Sequence, residues 1–368
     1  MADISTTFRD QDLSKDTRKS SGSKSENMEA AVAPVASQCD GGGGDGDVYK
    51  EIKTNEGVKA AEVRCIGRNN KGVTWGFSLD KGKQQEMEDN VAVVPGFMKL
   101  PCDMVGGCTA PECRYAAVES PVHYFGVFDG HGGDQMNTKV SHYCSKKLHE
   151  FVAEEWGKEV DECRWNKRWE VAFTRAYNKA DDVFKDKTLA PNYVGSTALV
   201  VVLSACQIIA ANCGDSRAVL CRGGQAIPLT VDHKLSREDE VSRITNAGAS
   251  IYFLDCPRVE GILSMTRAIG DQSLKPGVIS DPEVTFMTRS EEDECLILAS
   301  DGIWDVMSNE KVIGLAHKML RHLRKQLATG NEGPAEYVAK LVLGTALHIT
   351  TDNISVIVVD LKWPKRGR

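Results

Sequence analysis

Five aspartate-bearing segments hold the residues whose chemistry can be read directly. They are Glu86-Met87-Glu88-Asp89, Phe128-Asp129-Gly130-His131-Gly132-Gly133, Asn212-Cys213-Gly214-Asp215-Ser216-Arg217, Ala299-Ser300-Asp301-Gly302-Ile303-Trp304-Asp305 and Thr351-Asp352-Asn353. Each adjoins a short apolar run of β type. A carboxylate just past such a run is costly to bury unpaired, and a single one commonly forms a turn. Five in one chain point further, because the strands of one sheet deliver their ends to a common edge. Hard oxygen ligands gathered without matching His or Cys suit Mg2+ or Mn2+ rather than zinc. Two such ions ~3.5–4 Å apart can bridge and deprotonate a water and orient it for in-line attack on phosphorus. His131, two residues beyond Asp129, can exchange a proton near neutral pH and give one to the departing alkoxide.

Elements must carry these groups to one place. Val- and Ile-rich runs bounded by Gly, Asp or Ser predict strands at Val73–Ser78, Val91–Val94, His123–Phe128, Ala198–Leu203, Ile208–Asn212, Ala218–Arg222, Cys295–Ala299 and Ile354–Asp360. Ala198–Leu203 and Ile208–Asn212, joined by Ser-Ala-Cys-Gln, read as a β-hairpin. Helical periodicity marks Val140–Glu154, Arg164–Phe184, Arg237–Ala247, Glu310–Leu327 and Ala335–Leu347. Ser236 followed by Asp239 fits a helix N-cap. Strands in adjacent runs with helices grouped between them predict an α+β fold rather than strict βαβ alternation. Asp255–Pro282, punctuated by Gly and Pro, reads as an irregular surface subdomain. Residues 1–60, with the run Gly41–Gly44 and few apolar groups, read as a disordered tail.

Composition narrows the function. The 368 residues are 41% hydrophobic and 26% charged, with a net charge of −7; collagen-like and wholly disordered chains are excluded. An acidic chain is a poor general nucleic-acid binder, which weakens a two-metal nuclease reading. No apolar run reaches the ~18 residues of a membrane span. Met1–Asp10 lacks the apolar core of a signal peptide, and Asp3, Asp10, Asp12 and Asp16 argue against a transit peptide. Twelve cysteines without a secretory signal predict reduced thiols in the cytoplasm or nucleus. Cys206, Cys213, Cys221 and Cys295 sit inside apolar runs and read as small buried hydrophobes. Cys102, Cys108 and Cys113 lack zinc-site spacing. The basic end 363–368 reads as a solvated terminus or a crude nuclear address.

Taken in order, Glu-Met-Glu-Asp, Phe-Asp-Gly-His-Gly-Gly, Gly195-Ser196-Thr197-Ala198, Gly214-Asp215-Ser216-Arg217, Ser300-Asp301-Gly302-Ile303-Trp304-Asp305 and Asp352-Asn353 resemble the motifs of metal-dependent protein Ser/Thr phosphatases of the 2C type. The likeness runs from Trp75 to Leu361. Residues Asn212–Arg222, Asp232-His233-Lys234 and Ile269-Gly270-Asp271 with Leu274-Lys275-Pro276 are similar to the plant clade A members, co-receptors in abscisic acid signalling. The resemblance implies an αββα sandwich of two antiparallel sheets over 61–362, with a flap at about 235–290 and a binuclear centre at one edge. It implies a protein-serine/threonine phosphatase using two Mg2+ or Mn2+ ions on Asp89, Asp129, Asp301, Asp352 and the Gly130 carbonyl. Glu88 would hold a metal-bound water, Asp215 and Asp305 a weaker third ion with Asp301, and His131 would be the general acid. The implied substrates are phosphorylated proteins, Ser/Thr kinases among them, and the implied state is a monomer without nucleic-acid or membrane partners.

Two departures stand out. The family's phosphate-gripping Arg falls at Gln84, and a neutral amide cannot replace a bidentate guanidinium; neighbouring Lys83 offers a point charge in compensation. Clade A members insert a flap Trp into hormone receptors, and Leu254 stands there, before Arg258-Val259, without an indole N–H. Receptor docking is then expected through the loop Val194–Thr197, with Gly195 and Ser196, while hormone-dependent locking is weakened or absent. An active enzyme with raised KM is the leading expectation, and a pseudo-phosphatase scaffold that binds kinases or receptors is the alternative.

Overall fold

Alternation along the strands decides the architecture. In β3 (Glu119–Phe128), Val122, Tyr124 and Phe128 belong to one buried cluster, while Phe125 and Val127 belong to another. In β6 (Ala198–Leu203), Val200 and Val202 face the first cluster and Leu199, Val201 and Leu203 the second. A strand buried on both faces needs a layer on each side, and its apolar run is continuous rather than alternating. The computed structural model describes residues 73–107, 110, 113, 116–132, 138–158, 164–326 and 333–362. The tail read at 1–60, the basic end 363–368 and Cys108 lie outside the described residues.

Two five-stranded antiparallel sheets supply the middle layers. The first has the order β13-β7-β6-β3-β2, with β2 Asn90–Pro101, β7 Gln207–Cys213 and β13 Glu283–Thr288. The second has the order β1-β15-β14-β8-β9, with β1 Thr74–Asp80, β8 Arg217–Arg222, β9 Gln225–Pro228, β14 Asp293–Ala299 and β15 Ile354–Asp360. Between the sheets lie Phe125, Val201, Leu220, Leu298 and Ile357, all fully buried. Burying each such side chain stabilises the fold by roughly 1.5–3 kcal/mol.

Helices cover the outer faces. α1 (Thr138–Gly157) and α2 (Trp165–Val183) pack Leu148, Trp169, Phe173 and Tyr177 onto the first sheet. The Tyr177 hydroxyl donates to the Ala211 carbonyl at 3.1 Å, which satisfies its buried polar end. Residues Leu320, Val338 and Val342 of two later helices, Asn309–Gln326 and Pro334–Leu347, cover the second sheet. The predicted α+β sandwich is thus the observed fold, and all five predicted helices and the β6–β7 hairpin form.

Differences have local causes. The expected strand Val91–Val94 continues to Pro101 through a register shift between Val94 and Met98, where Gly96 has a φ of +64°; such a bulge bends a strand without ending it. The predicted N-cap Ser236 is displaced by one residue: α3 (Glu238–Asn246) is capped at Arg237, with no side-chain cap bond. The irregular segment owns a small core of Leu235, Ile244, Val259, Leu263, Met265, Ala268, Leu274 and Val278. The flap read at about 235–290 overreaches, since β13 pairs with β7 from Glu283 to Thr288 as an edge of the main sheet. Cys206, Cys213, Cys221 and Cys295 are buried as expected.

Candidate active site

Asn353 organises the loop that carries the first acidic motif. Its Nδ2 donates to the carbonyls of Lys81 and Glu86 at 3.0 Å each, and its Oδ1 accepts the Glu88 N–H at 2.5 Å. From α1, Ser141 Oγ donates to the Glu88 carbonyl at 2.6 Å. Glu88 and Asp89 are therefore tied to both halves of the sandwich. Asp89 is 2% exposed, and its Oδ2 accepts from Ser300 Oγ at 2.7 Å. The Asp129 backbone exchanges bonds with Thr197, N–H to Oγ1 at 3.0 Å and carbonyl from the Thr197 N–H at 2.8 Å. Asp301 opens the short helix α4 (Asp301–Trp304). A Cβ on the next residue, Gly302, would lie 2.0 Å from the Asn353 carbonyl, so only glycine brings this turn against Asp352-Asn353.

The carboxylates feel one another. Burial pushes Asp89 up to about 6, against the hydrogen bonds from Ser300 and Ser355. Asp129 rises well above the usual range through burial first, then through the charges of Asp89, Asp301, Asp215 and Asp352. Asp301 rises for the same reasons, burial and then Asp215, Asp305 and Asp352. Asp129 lines a cavity of about 420 Å³ together with Gln84, Gln85, Glu86, Glu88, Gly130, Asp352 and Asn353. No Lys or Arg lines it among the described residues.

This set fits divalent cations. Oδ1 of Asp89 is buried without a hydrogen-bond partner, a costly state that a cation relieves. The donors are oxygens alone, the choice of Mg2+ and Mn2+. Among the described residues the acidic trio with atoms within 4.8 Å of one another is Asp239 and Glu240 of α3 with Glu283 of β13. Arg237, Arg243 and Arg267 neutralise that trio. No other acidic trio among the described residues meets that limit, an arrangement compatible with ions that keep several waters and take one or two carboxylates each.

His131, in β4 (Gly130–His131), has a partner that the motifs did not announce. Its Nε2 lies 2.7 Å from Oδ2 of Asp271. Burial alone would lower the imidazole's pKa, but the charge and hydrogen bond of Asp271, with Asp215 and Glu88 adding, raise it. Asp271 adopts left-handed backbone, φ 49°, and the preceding Gly270 N–H donates to the buried Asp181 at 2.7 Å. Beside the pair runs Gly195, in β5 (Gly195–Ser196), where a Cβ would stand 2.0 Å from Asp271 Oδ2 and 2.7 Å from His131 Nε2. Gly270-Asp271 repeats the Gly-Asp pairing of Gly214-Asp215, the one signal in the sequence that could have flagged it.

The remaining predicted positions are placed as follows. Gln84 reaches the cavity, its Nε2 donating to Asp352 Oδ1 at 3.4 Å, whereas Lys83 is exposed and outside the lining. Asp215 and Asp305 come together, but with Lys234 between them, its Nζ 3.6 Å and 3.2 Å from their oxygens. Gly195 and Ser196 are buried, and Ser196 Oγ donates to the Thr197 carbonyl, so neither offers a side chain to a docking partner; Tyr193 of the same loop is half exposed. Leu254 is 67% exposed, beside exposed Tyr252 and Phe253 of β10 (Ile251–Phe253). Ser300, Asn353, Asp271 and Lys234 were assigned no role from the motifs, because each acts through a contact distant in the chain.

A two-sheet sandwich whose strand ends gather acidic side chains beside a paired imidazole defines a class of metal-assisted phosphoester hydrolase. Residues 81–348 match the Protein phosphatase 2C family, and the chain belongs to that family. It is 41% identical over 344 residues to "Protein phosphatase 2C 53" of Oryza sativa subsp. japonica, covering 83% of this chain and 76% of the relative. It is 41% identical over 366 residues to "Protein phosphatase 2C 7" of Arabidopsis thaliana, covering 87% and 70%. The fold resembles a serine-threonine phosphatase 2C from Toxoplasma gondii, with a TM-score of 0.57 at 23% identity, covering 79% of this chain and 95% of the other. The chain is accordingly an enzyme of the protein-serine/threonine phosphatase class, a phosphoric monoester hydrolase.

Proposed function

We propose that the chain hydrolyses phosphoserine and phosphothreonine in proteins with two Mg2+ or Mn2+ ions, held by Asp89, Asp129, Asp301, Asp352 and the Gly130 carbonyl. The observation that supports this most is the mutual electrostatic burden of the buried carboxylates around the cavity. A phosphate dianion would be repelled from Glu88, Asp129 and Asp352 unless cations intervened. When bound, the ions supply charge neutralisation and an activated water.

The chain's own groups do the rest. Glu88, fixed through its backbone by Asn353 and Ser141, is set to accept a hydrogen bond from water in the cavity. Against burial, the charge and hydrogen bond of Asp271 favour the imidazolium form of His131 and raise its pKa. Nε2–H is held by Asp271, so the proton left to move to a leaving-group oxygen is the one on Nδ1, a buried atom without a hydrogen-bond partner. Gln84 contributes a neutral donor, so affinity for phosphate is low.

Release of phosphate from a phosphothreonine peptide with Mn2+, its loss with EDTA and its loss in Asp301→Ala are the expected results. No turnover at any Mn2+ concentration would favour the scaffold reading that Gln84 motivates.

For regulation, we infer a role in abscisic acid or stress signalling, with Ser/Thr kinases among the substrates and a hormone-dependent lock that is weak. Support comes from the clade A likeness of Asn212–Arg222 and from Leu254, which presents apolar surface but no indole donor. Pull-down of hormone receptors with and without ligand checks it: Leu254→Trp is expected to raise hormone-dependent capture, and equal capture by both forms would count against it.

A further inference from the structure

We propose that the ammonium of Lys234 stands in the place of a third divalent ion, so that this centre takes two ions and refuses a third. The inference rests on the two-ion reading above and concerns Asp215, Asp301 and Asp305, which the family likeness would assign to a weaker third ion. Lys234 Nζ lies 3.2 Å from Asp305 Oδ1 and 3.6 Å from Asp215 Oδ2, at the same carboxylates such an ion would need.

The lysine is set there by its loop. Asp232, two residues before it, takes a bidentate grip from Arg217, at 2.9 Å from Nε and 2.7 Å from Nη2. The neighbouring His233 is fully buried; its N–H donates to the Gly214 carbonyl at 3.0 Å, and its Nδ1 accepts the Gly214 N–H at 3.1 Å. Lys234 itself bridges to Met265. The loop is thus clamped to the turn that presents Asp215, and much of the entropy a long side chain loses in a fixed pair is already lost. Asp215 is 2% exposed, so its charge requires a positive partner nearby. A divalent ion entering between Asp215 and Asp305 would meet the ammonium at contact range, and the lysine would have to leave both carboxylates to admit it.

The contrast with the main cavity is chemical. There Asp89 Oδ1 is buried without a hydrogen-bond partner, and no Lys or Arg lines the space among the described residues. A tethered monovalent cation keeps Asp215 and Asp305 in register yet leaves no open coordination position.

The test counts Mn2+ bound to the full chain by equilibrium dialysis, with free Mn2+ read by electron paramagnetic resonance. The wild-type chain is expected to bind two ions, Lys234→Met three, and Asp305→Asn two. Three ions in the wild type, or a fall in the count on Asp305→Asn, would overturn the proposal. So would a folded Lys234→Met chain that still binds two. If that variant does not fold, the wild-type and Asp305→Asn counts decide alone. No bound Mn2+ in the wild type would overturn the two-ion reading itself, and this one with it.

Discussion

Nε2 of His131 and Oδ2 of Asp271 lie 2.7 Å apart, although 140 positions separate them in the chain. The pair joins the end of a core strand to the flap. It favours the charged form of the histidine, since the charge and hydrogen bond of Asp271 outweigh the effect of burial. Replacing His131 by Ala is expected to lower kcat on a phosphothreonine peptide by roughly 10²–10⁴-fold. With p-nitrophenyl phosphate, whose phenolate leaves without a proton, the loss should be far smaller. Equal losses on both substrates would remove the general-acid role.

Gly195 tests the same pair without touching either member. A methyl group there would stand 2.0 Å from the Asp271 oxygen, so Gly195→Ala must push the two apart. We expect kcat to fall at least tenfold, a part of the general-acid factor, with KM nearly unchanged. A rise in KM alone would place Gly195 in substrate binding instead.

Gln84→Arg should lower KM for phosphopeptides by about tenfold, since a hydrogen bond to a charged group is worth ~1.5–3 kcal/mol. The kcat should change little, as the gain is in ground-state and transition-state binding alike. An unchanged KM would mean that another group already grips the phosphate.

Metal should stabilise the chain and the acidic cluster should burden it without metal. Mn2+ at a hundredfold excess over Kd is expected to add about 2.7 kcal/mol, a Tm rise of roughly 5–10 °C. Asp129→Asn should abolish that rise and, in EDTA, melt above the wild type, because one repelling carboxylate is gone. A lower melting temperature in EDTA would show that Asp129 is structural.

The flap carries an acid-sensitive pair of ion bridges. Glu240 accepts from Arg267 and, at 2.8 Å, from Arg243, and its pKa settles at about 2; burial opposes that, and the arginines with Thr266 outweigh it. A carboxylate whose folded pKa lies below its ordinary 4.5 stabilises fully above that value and loses the contribution as pH falls toward 2. Glu240→Gln should cost about 3–5 kcal/mol at neutral pH. The two melting curves should converge as the pH approaches 2; a constant gap between them would deny the linkage.

Much of this protein was readable before any coordinates. The apolar runs of β6, β7, β14 and β15 declare themselves because strands buried on both faces are near-continuously apolar, and the helices because one face repeats every three to four residues. The acidic motifs were legible because a turn after such a strand keeps its residues at a predictable place. Short pairings and distant partners leave no such mark: β5 and β12 (Ile269–Gly270) are two residues each, too brief for any period. Ser300 donates to Asp89 across 211 positions, a contact that no local pattern announces.

The chain's local order determined which residues are acidic, where strands end and which glycines permit close approach. Only the closed sandwich decided that Asp271 meets His131, that Lys234 enters between Asp215 and Asp305, and that Ser196 is buried rather than offered to a partner. Those outcomes depend on which strands and loops become neighbours, and a contact between segments a hundred residues apart leaves no periodicity behind. It exists only when packing both sheets against each other brings their edges into one place.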